Sequence, residues 1–166
     1  MHKRTIMMIL AVLVAALLSI YLVAGSMANR AEQPIFEDGV IKVRSAYALR
    51  ETIDRLQKDV AAKGIMMFFV VDQAKLAADV GITLRPSTLL VFGNPALGAQ
   101  FMTANAQAGL DWPVRLLVQE DDKGQVWATY TDFAWIARRH RIADRAAAFK
   151  MASSVIASIT SSIAVK

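Results

Sequence analysis

The chain contains no cysteine. That removes thiolate catalysis, iron–sulfur ligation and cysteine-based zinc sites together, and leaves no disulfide pattern from which to read a redox compartment. Histidine is almost as scarce, with only His2 and His140. His140 sits in the run Arg138-Arg139-His140-Arg141 with no second ligand beside it at metal spacing, so it reads as a helix-end histidine and no metal is expected. Serine is common, but no G-x-S-x-G elbow is present. Gly93 and Gly98 have a loop-like spacing, yet no Lys-Ser or Lys-Thr pair comes after them, which excludes a phosphate loop. No catalytic constellation and no cofactor motif emerges. Excess charge is also slight. Without Lys3 and Arg4 the chain carries 17 basic against 14 acidic residues, too mild a surplus to argue for nucleic acid.

The features that are present begin at the N-terminus. His2, Lys3 and Arg4 precede Ile6–Ala24, an uncharged run of nineteen residues, and Ser26-Met27-Ala28 then offers small residues before Asn29. Residues 1–28 have the layout of a secretory signal peptide. They are also long enough for an uncleaved hydrophobic anchor helix. Both alternatives put the rest of the chain outside the cytoplasmic membrane, in the periplasm or beyond, with the basic end inside. Residues 29–39 are polar, contain Pro34 and Gly39, and read as a linker. Residues 40–166 are then one domain, large enough to bury a core without a staple.

Within that domain, Ile41, Val43 and Ser45 alternate with Lys42, Arg44 and Ala46, the mark of a half-buried strand. Leu49, Ile53, Leu56 and Val60 recur at helical spacing, and Gly64 stops that helix. Ile65–Val71 is short and almost wholly apolar, a central strand. Asp72–Val80 is helical and Gly81 closes it. Thr88–Phe92 is a third strand and Pro95–Ala106 a helix. Val114–Glu120 and Gln125–Tyr130 form a hairpin around Asp121-Asp122-Lys123-Gly124. Asp132 caps a short helix to Arg139. Asp144–Val165 forms a terminal helix with Ala147, Met151, Val155, Ile159 and Ile163 on one stripe. Its opposite face carries five serines, so it is not a membrane span. The pattern predicts an α+β fold, a mainly antiparallel sheet with helices packed on one face.

The most specific stretch is Leu84–Pro113. Gly93 allows a tight backbone, Asn94 can cap free helix amides, and Pro95 suits the first helical position. Phe92-Gly93-Asn94-Pro95 is therefore a strand-to-helix corner, and Asp111-Trp112-Pro113 a second corner. The amides around Ala96–Gly98 could hold a small anion with help from Arg85, unless Asn94 already occupies them. Arg85, Asn94, Gly98 and Asp111 are thus the candidate ligand-binding groups. Asp72, Asp111 and Glu120 are an alternative carboxylate pocket, although Asp72 and Asp111 also suit turn caps. Trp127, Tyr130, Phe133 and Trp135 cluster around the hairpin as core or as a cleft floor. Arg138–Arg145 reads as a solvated basic face near a helix end, or as a contact to anionic headgroups.

These corners carry a resemblance. Glu51-Thr52-Ile53, Leu84-Arg85-Pro86, Phe92-Gly93-Asn94-Pro95, Asp111 with Pro113, Glu120-Asp121, Tyr130 and Arg139-His140 together resemble the domain-of-unknown-function 302 family. The resemblance spans roughly Ser45 to Ile142. It implies a small α+β domain with a curved sheet, similar to the TATA-binding-protein class of folds, and pairing into dimers. This chain departs where the family commonly has Asp-His and here reads Asp72-Gln73, and in Gly98-Ala99-Gln100-Phe101-Met102 and Asp111-Trp112-Pro113. A ligand or proton-carrying role of that histidine would be lost here.

The functional expectation is a non-enzymatic envelope domain that binds a small molecule or an envelope protein, with a homodimer as one form. Membrane contact would run through the N-terminal segment if it is uncleaved. The alternatives are an enzyme or ligand-dependent stress factor using the carboxylate pocket, and a structural dimerisation module.

Overall fold

Period-two alternation builds the sheet. A computed structural model describes residues 39–165, and its strands are β1 (Val40–Arg44), β2 (Met66–Asp72), β3 (Ser87–Gly93), β4 (Val114–Glu120) and β5 (Val126–Thr131). They form one sheet in the order β1-β5-β4-β3-β2, every neighbouring pair antiparallel. The leader or anchor expected over residues 1–28, and all but the last residue of the expected linker, lie outside the described residues. Among the described residues no helix is long and apolar enough to cross a membrane.

The helices are α1 (Leu49–Ala62), α2 (Gln73–Ala78), α3 (Pro95–Ala104), α4 (Phe133–Arg139) and α5 (Ala146–Ser161), with one 3-10 turn at Ala106–Leu110. Register places Leu90 opposite Leu116, Leu116 opposite Tyr130 and Val118 opposite Ala128. Because side chains alternate across a strand, these residues share one face with Phe92. All are buried. Ile53, Leu56 and Val60 of α1 and Ile156 and Ile159 of α5 complete the same core. Burial raises the Tyr130 phenol above its ordinary pKa. The α+β architecture with an antiparallel sheet is therefore as the patterning predicts.

Local chemistry fixes the ends of these elements. Asp72 accepts from the Lys75 amide and caps α2. Asp132 accepts from the Ala134 and Trp135 amides and caps α4. In the hairpin turn Asp121 accepts from the Lys123 and Gln125 amides and from the Trp127 indole. The indole contact leads, and these donors hold its carboxyl below the usual carboxylate range. At the end of α1, Gly64 takes φ 65°. Its amide and that of Ile65 bond back to Ala61 and Val60, the paired contacts that close a helix on a left-handed residue.

Ile65–Val71, expected as a central strand, is instead the edge strand β2 (Met66–Asp72), because it pairs only with β3, and several helix ends also differ from the expectation. The helix after Pro95 stops at Ala104, because Asn105 turns extended and its side chain caps the 3-10 turn through Gln107 N–H. The terminal helix runs over Ala146–Ser161 rather than Asp144–Val165. Its tail instead pairs beyond β1, with Ala46 N–H on Ile163 O and Val165 N–H on Arg44 O. Its buried stripe is also turned by about one residue. Ala148, Ala152, Ile156, Ile159 and Ile163 are inside, whereas Met151 is exposed. Phe149 decides that rotation by stacking on Phe101 at 4.2 Å between ring centroids.

Candidate site: a buried Asp111–His140 pair and an adjoining apolar cavity

Asp111 closes the 3-10 turn just before β4, and His140 closes α4. They are 29 residues apart in sequence, yet His140 Nε2 lies 2.6 Å from Asp111 Oδ2, and each side chain is 4% exposed. A carboxylate only accepts, so the imidazole donates through Nε2. Asp111 Oδ1 accepts from Arg115 and Arg139, both at 3.2 Å. Arg115 also donates to Leu110 O at 2.7 Å, and Asn105 Nδ2 donates to His140 O at 2.9 Å. The two chain segments are thus tied at side chain and backbone.

The end of α4 is shaped for this contact. Arg141 takes φ 54°, a conformation that non-glycine residues seldom adopt. Its amide bonds to Arg138 O and that of Ile142 to Ala137 O. This left-handed stop turns His140 inward and buries Ile142. Arg139 extends over the Trp135 ring, 5.3 Å from its centroid, on the way to Asp111.

The tie holds the adjoining corner. The Trp112–Pro113 peptide is cis, and the Trp112 indole lies across the Phe92-Gly93-Asn94-Pro95 corner. A Cβ on Gly98 would stand 2.2 Å from the Trp112 ring, and one on Gly93 would stand 3.0 Å from it. Only glycine lets the indole come this close. Phe68 meets the same ring edge-on at 5.8 Å. The two sequence corners are therefore one packed unit.

Beside this unit lies a cavity of about 220 Å³. Its floor is Phe92 and Val114 of the sheet. Its walls are Leu97 and Phe101 of α3, Phe133 of α4, Val155 and Ile156 of α5, and Trp112; Lys63 and Asn94 are also at its lining. Apolar side chains with a few polar groups are the usual make-up of a small-molecule site.

The residues singled out from sequence do not all converge here. Asn94 and Gly98 do belong to this corner. Asn94 Oδ1 accepts from the Ala96 and Leu97 amides at 2.9 and 3.2 Å, and Gly98 N–H bonds to Asn94 O. The amides proposed for an anion are thus occupied by the cap. Arg85 is elsewhere. It precedes β3 while Asn94 comes after it, so the strand separates them by roughly 20 Å at about 3.3 Å per residue. Arg85 is exposed and pairs with Asp122 of the hairpin turn. The carboxylate pocket does not form either. Asp72 and Glu120 lie at the Arg85 end of the sheet, with Asp72 opposite Thr88 and the Glu120 amide on Pro86 O. Asp111 lies at the other end, where it closes the 3-10 turn before β4; its side-chain oxygens are filled by Arg115, Arg139 and His140.

Gln73 is engaged structurally, accepting from Ser87 Oγ at 2.8 Å. Tyr130 and Phe133 are core, while Trp127 points to the hairpin turn. The basic run splits: Arg139 serves Asp111 and Arg145 pairs with Asp144. Among the described residues no group of three or more acidic or histidine side chains is placed to hold a metal ion. Sequence reasoning missed His140 as the partner of Asp111, since no spacing rule joins residues that far apart. The only signal was that both belong to the same family resemblance.

The sequence profile described as Domain of unknown function DUF302 matches residues 41–159, a stretch holding both corners, Asp111 and His140. This chain belongs to the DUF302 family. A solved DUF302 protein, described as an uncharacterized conserved protein from Bacillus stearothermophilus, is similar in fold, with a TM-score of 0.68 at 16% identity. The match covers 74% of this chain and 96% of that one. Among curated proteins, "Fluoride-specific ion channel FluC 1" of Brucella suis biovar 1 (strain 1330) is 38% identical over 108 residues, 65% of this chain and 42% of that protein. The protein of the same name from Brucella abortus biovar 1 (strain 9-941) is likewise 38% identical over 108 residues, 40% of its length. The chain thus spans about two fifths of the length of the curated relatives it matches.

Proposed function

We propose that this DUF302 domain holds a small, largely apolar molecule in the cavity beside Trp112, without reacting on it, in the cell envelope. The cavity itself carries the reading. At about 220 Å³ it exceeds the roughly 150 Å³ that suffices to take up benzene in an apolar engineered site. In this reading residues 1–28 act as a signal peptide or anchor that exports the domain, and the sheet curves around its helices as in the TATA-binding-protein class. The relatives named as ion channels support a setting at the membrane, because there a similar stretch is part of a longer chain with that name.

The test is direct. The full chain, carried in phosphatidylcholine nanodiscs so that no detergent competes, is titrated with naphthalene derivatives while Trp fluorescence is monitored. Binding is expected for the wild type, with a loss of about ten-fold or more when Val155→Trp or Met151→Trp fills the space. Met151 is exposed, so the second variant keeps the fold even if the first does not. Equal binding by wild type and Met151→Trp would remove the cavity from the account.

The protein partner we propose is a second copy. β2 is an edge strand bonded only to β3. Met66–Val71 carries no charge, and Phe69 is 67% exposed. Edges of this kind are normally blunted by lysine, proline or a bulge; β2 has neither lysine nor proline, and its one register irregularity, between Met67 and Phe69, leaves Phe69–Val71 as a regular edge that is self-complementary about a two-fold axis. Sedimentation velocity should give a dimer that Phe69→Lys converts to monomer. A wild-type monomer would dispose of the pairing.

A further inference from the structure

The polar side chains at the cavity lining have the same sense. Lys63, the residue that caps α1, contributes an ammonium, and it has no ion pair among the described residues. Asn94 has spent its Oδ1 on two backbone amides, so its free end is the Nδ2 donor pair. The Trp112 indole lies with Nε1 against Gly93 and Gly98, 3.0 and 2.4 Å from where their Cβ atoms would stand, so the ring offers the cavity apolar surface. No acidic side chain lines the space. One cation and one free amide donor, both exposed, therefore stand at the lining of an otherwise apolar pocket, and no lining side chain has a free acceptor.

We infer that the ligand is a small amphiphilic anion: an apolar body of one or two rings or a short acyl chain, with a single carboxylate-type head facing Lys63 and Asn94. This rests on the cavity reading above and adds the chemical class. The body is limited by volume, between one and two times what benzene needs at about 150 Å³. The head is set by donor complementarity. A cationic head would face a like charge at Lys63 and a donor at Asn94, whereas an anionic head finds an opposite charge and a hydrogen-bond donor there.

The probes are 2-naphthoate, 2-naphthamide and 2-naphthylmethylammonium, titrated into the full chain in phosphatidylcholine nanodiscs at low salt. Naphthoate should bind best and the ammonium compound worst. Lys63→Gln should weaken naphthoate about five-fold, as expected of a partly exposed ion pair, and leave naphthamide unchanged. Raising the salt should erode the naphthoate advantage in wild type but not in Lys63→Gln. If naphthoate and naphthamide bind equally, or if Lys63→Gln changes nothing, the anionic head is wrong while the cavity stands. If none of the three binds, the cavity reading falls with it. Lys63 is exposed, so its replacement does not threaten the fold.

Discussion

Replacing Asp111 with alanine will lower the stability of the domain by about 3 kcal/mol, the lower end of what the loss of one partner from a buried charged pair costs. Arg115 and Arg139 are about half exposed and can turn back to water. His140 cannot, since its side chain is 4% exposed. It would keep a buried donor with no acceptor, worth about 1–3 kcal/mol by itself. The remainder comes from releasing the 3-10 turn from the end of α4. Asp111→Asn keeps the shape and one acceptor, so it should cost less than alanine. Urea unfolding of wild type, Asp111→Ala, Asp111→Asn and His140→Ala measures the order. If Asp111→Ala unfolds with the wild-type midpoint, the pair is not what joins these segments. Because the tie sits next to Trp112, Asp111→Ala should also weaken ligand binding, although Asp111 does not line the cavity.

Gly98→Ala should be almost as severe despite adding a single methyl group. The new Cβ would overlap the Trp112 ring at 2.2 Å, so the indole itself must shift and give up its edge-to-face contact with Phe68. Overpacking of this kind costs about 1–3 kcal/mol, and occasionally more. The upper part of that range applies here, because a rigid ring rather than a flexible chain must move. The decisive measurement is a double-mutant cycle. In a Trp112→Ala background the space is open, so Gly98→Ala should be nearly neutral or mildly stabilising, as helix propensity favours alanine over glycine. The same penalty in both backgrounds would mean that Gly98 is required by something other than the indole. Gly93 faces the same ring at 3.0 Å, so Gly93→Ala should show the same coupling at smaller size.

These two predictions concern one assembly, and it explains why the chain carries its most specific sequence there. Gly93 and Gly98 are small because Trp112 lies on them. Asn94 and Pro95 start α3 at the angle that brings Leu97 and Phe101 to the cavity. Asp111, gripped by His140, Arg115 and Arg139, fixes where Trp112 begins. Among the departures from the family pattern, Trp112 stands within this assembly between Asp111 and Pro113, whereas Gln73 bonds to Ser87 at the opposite end of the sheet.

The local elements and their order were legible along the chain. Alternation of period two, helical spacing, Asp72, Asn94 and Asp132 as caps, and Gly64 as a stop are all interactions within a few residues, so a linear reading captures them. The corners themselves were legible too, since Pro95 and Pro113 fix their own backbone, Asn94 caps the helix start and Gly93 permits the tight turn. The use made of those corners came from the packed molecule. Strand order set Arg85, Asp72 and Glu120 at one end of the sheet and Asn94 and Asp111 at the other, which no spacing reveals. Packing also joined Asp111 to His140 across 29 residues, and it chose which side of α5 is buried through the stacking of Phe149 on Phe101. The cavity, too, exists only where β3, β4, α3, α4 and α5 meet. Contacts between distant residues depend on how whole elements pack, and that packing is a property of the assembled core rather than of any segment within it.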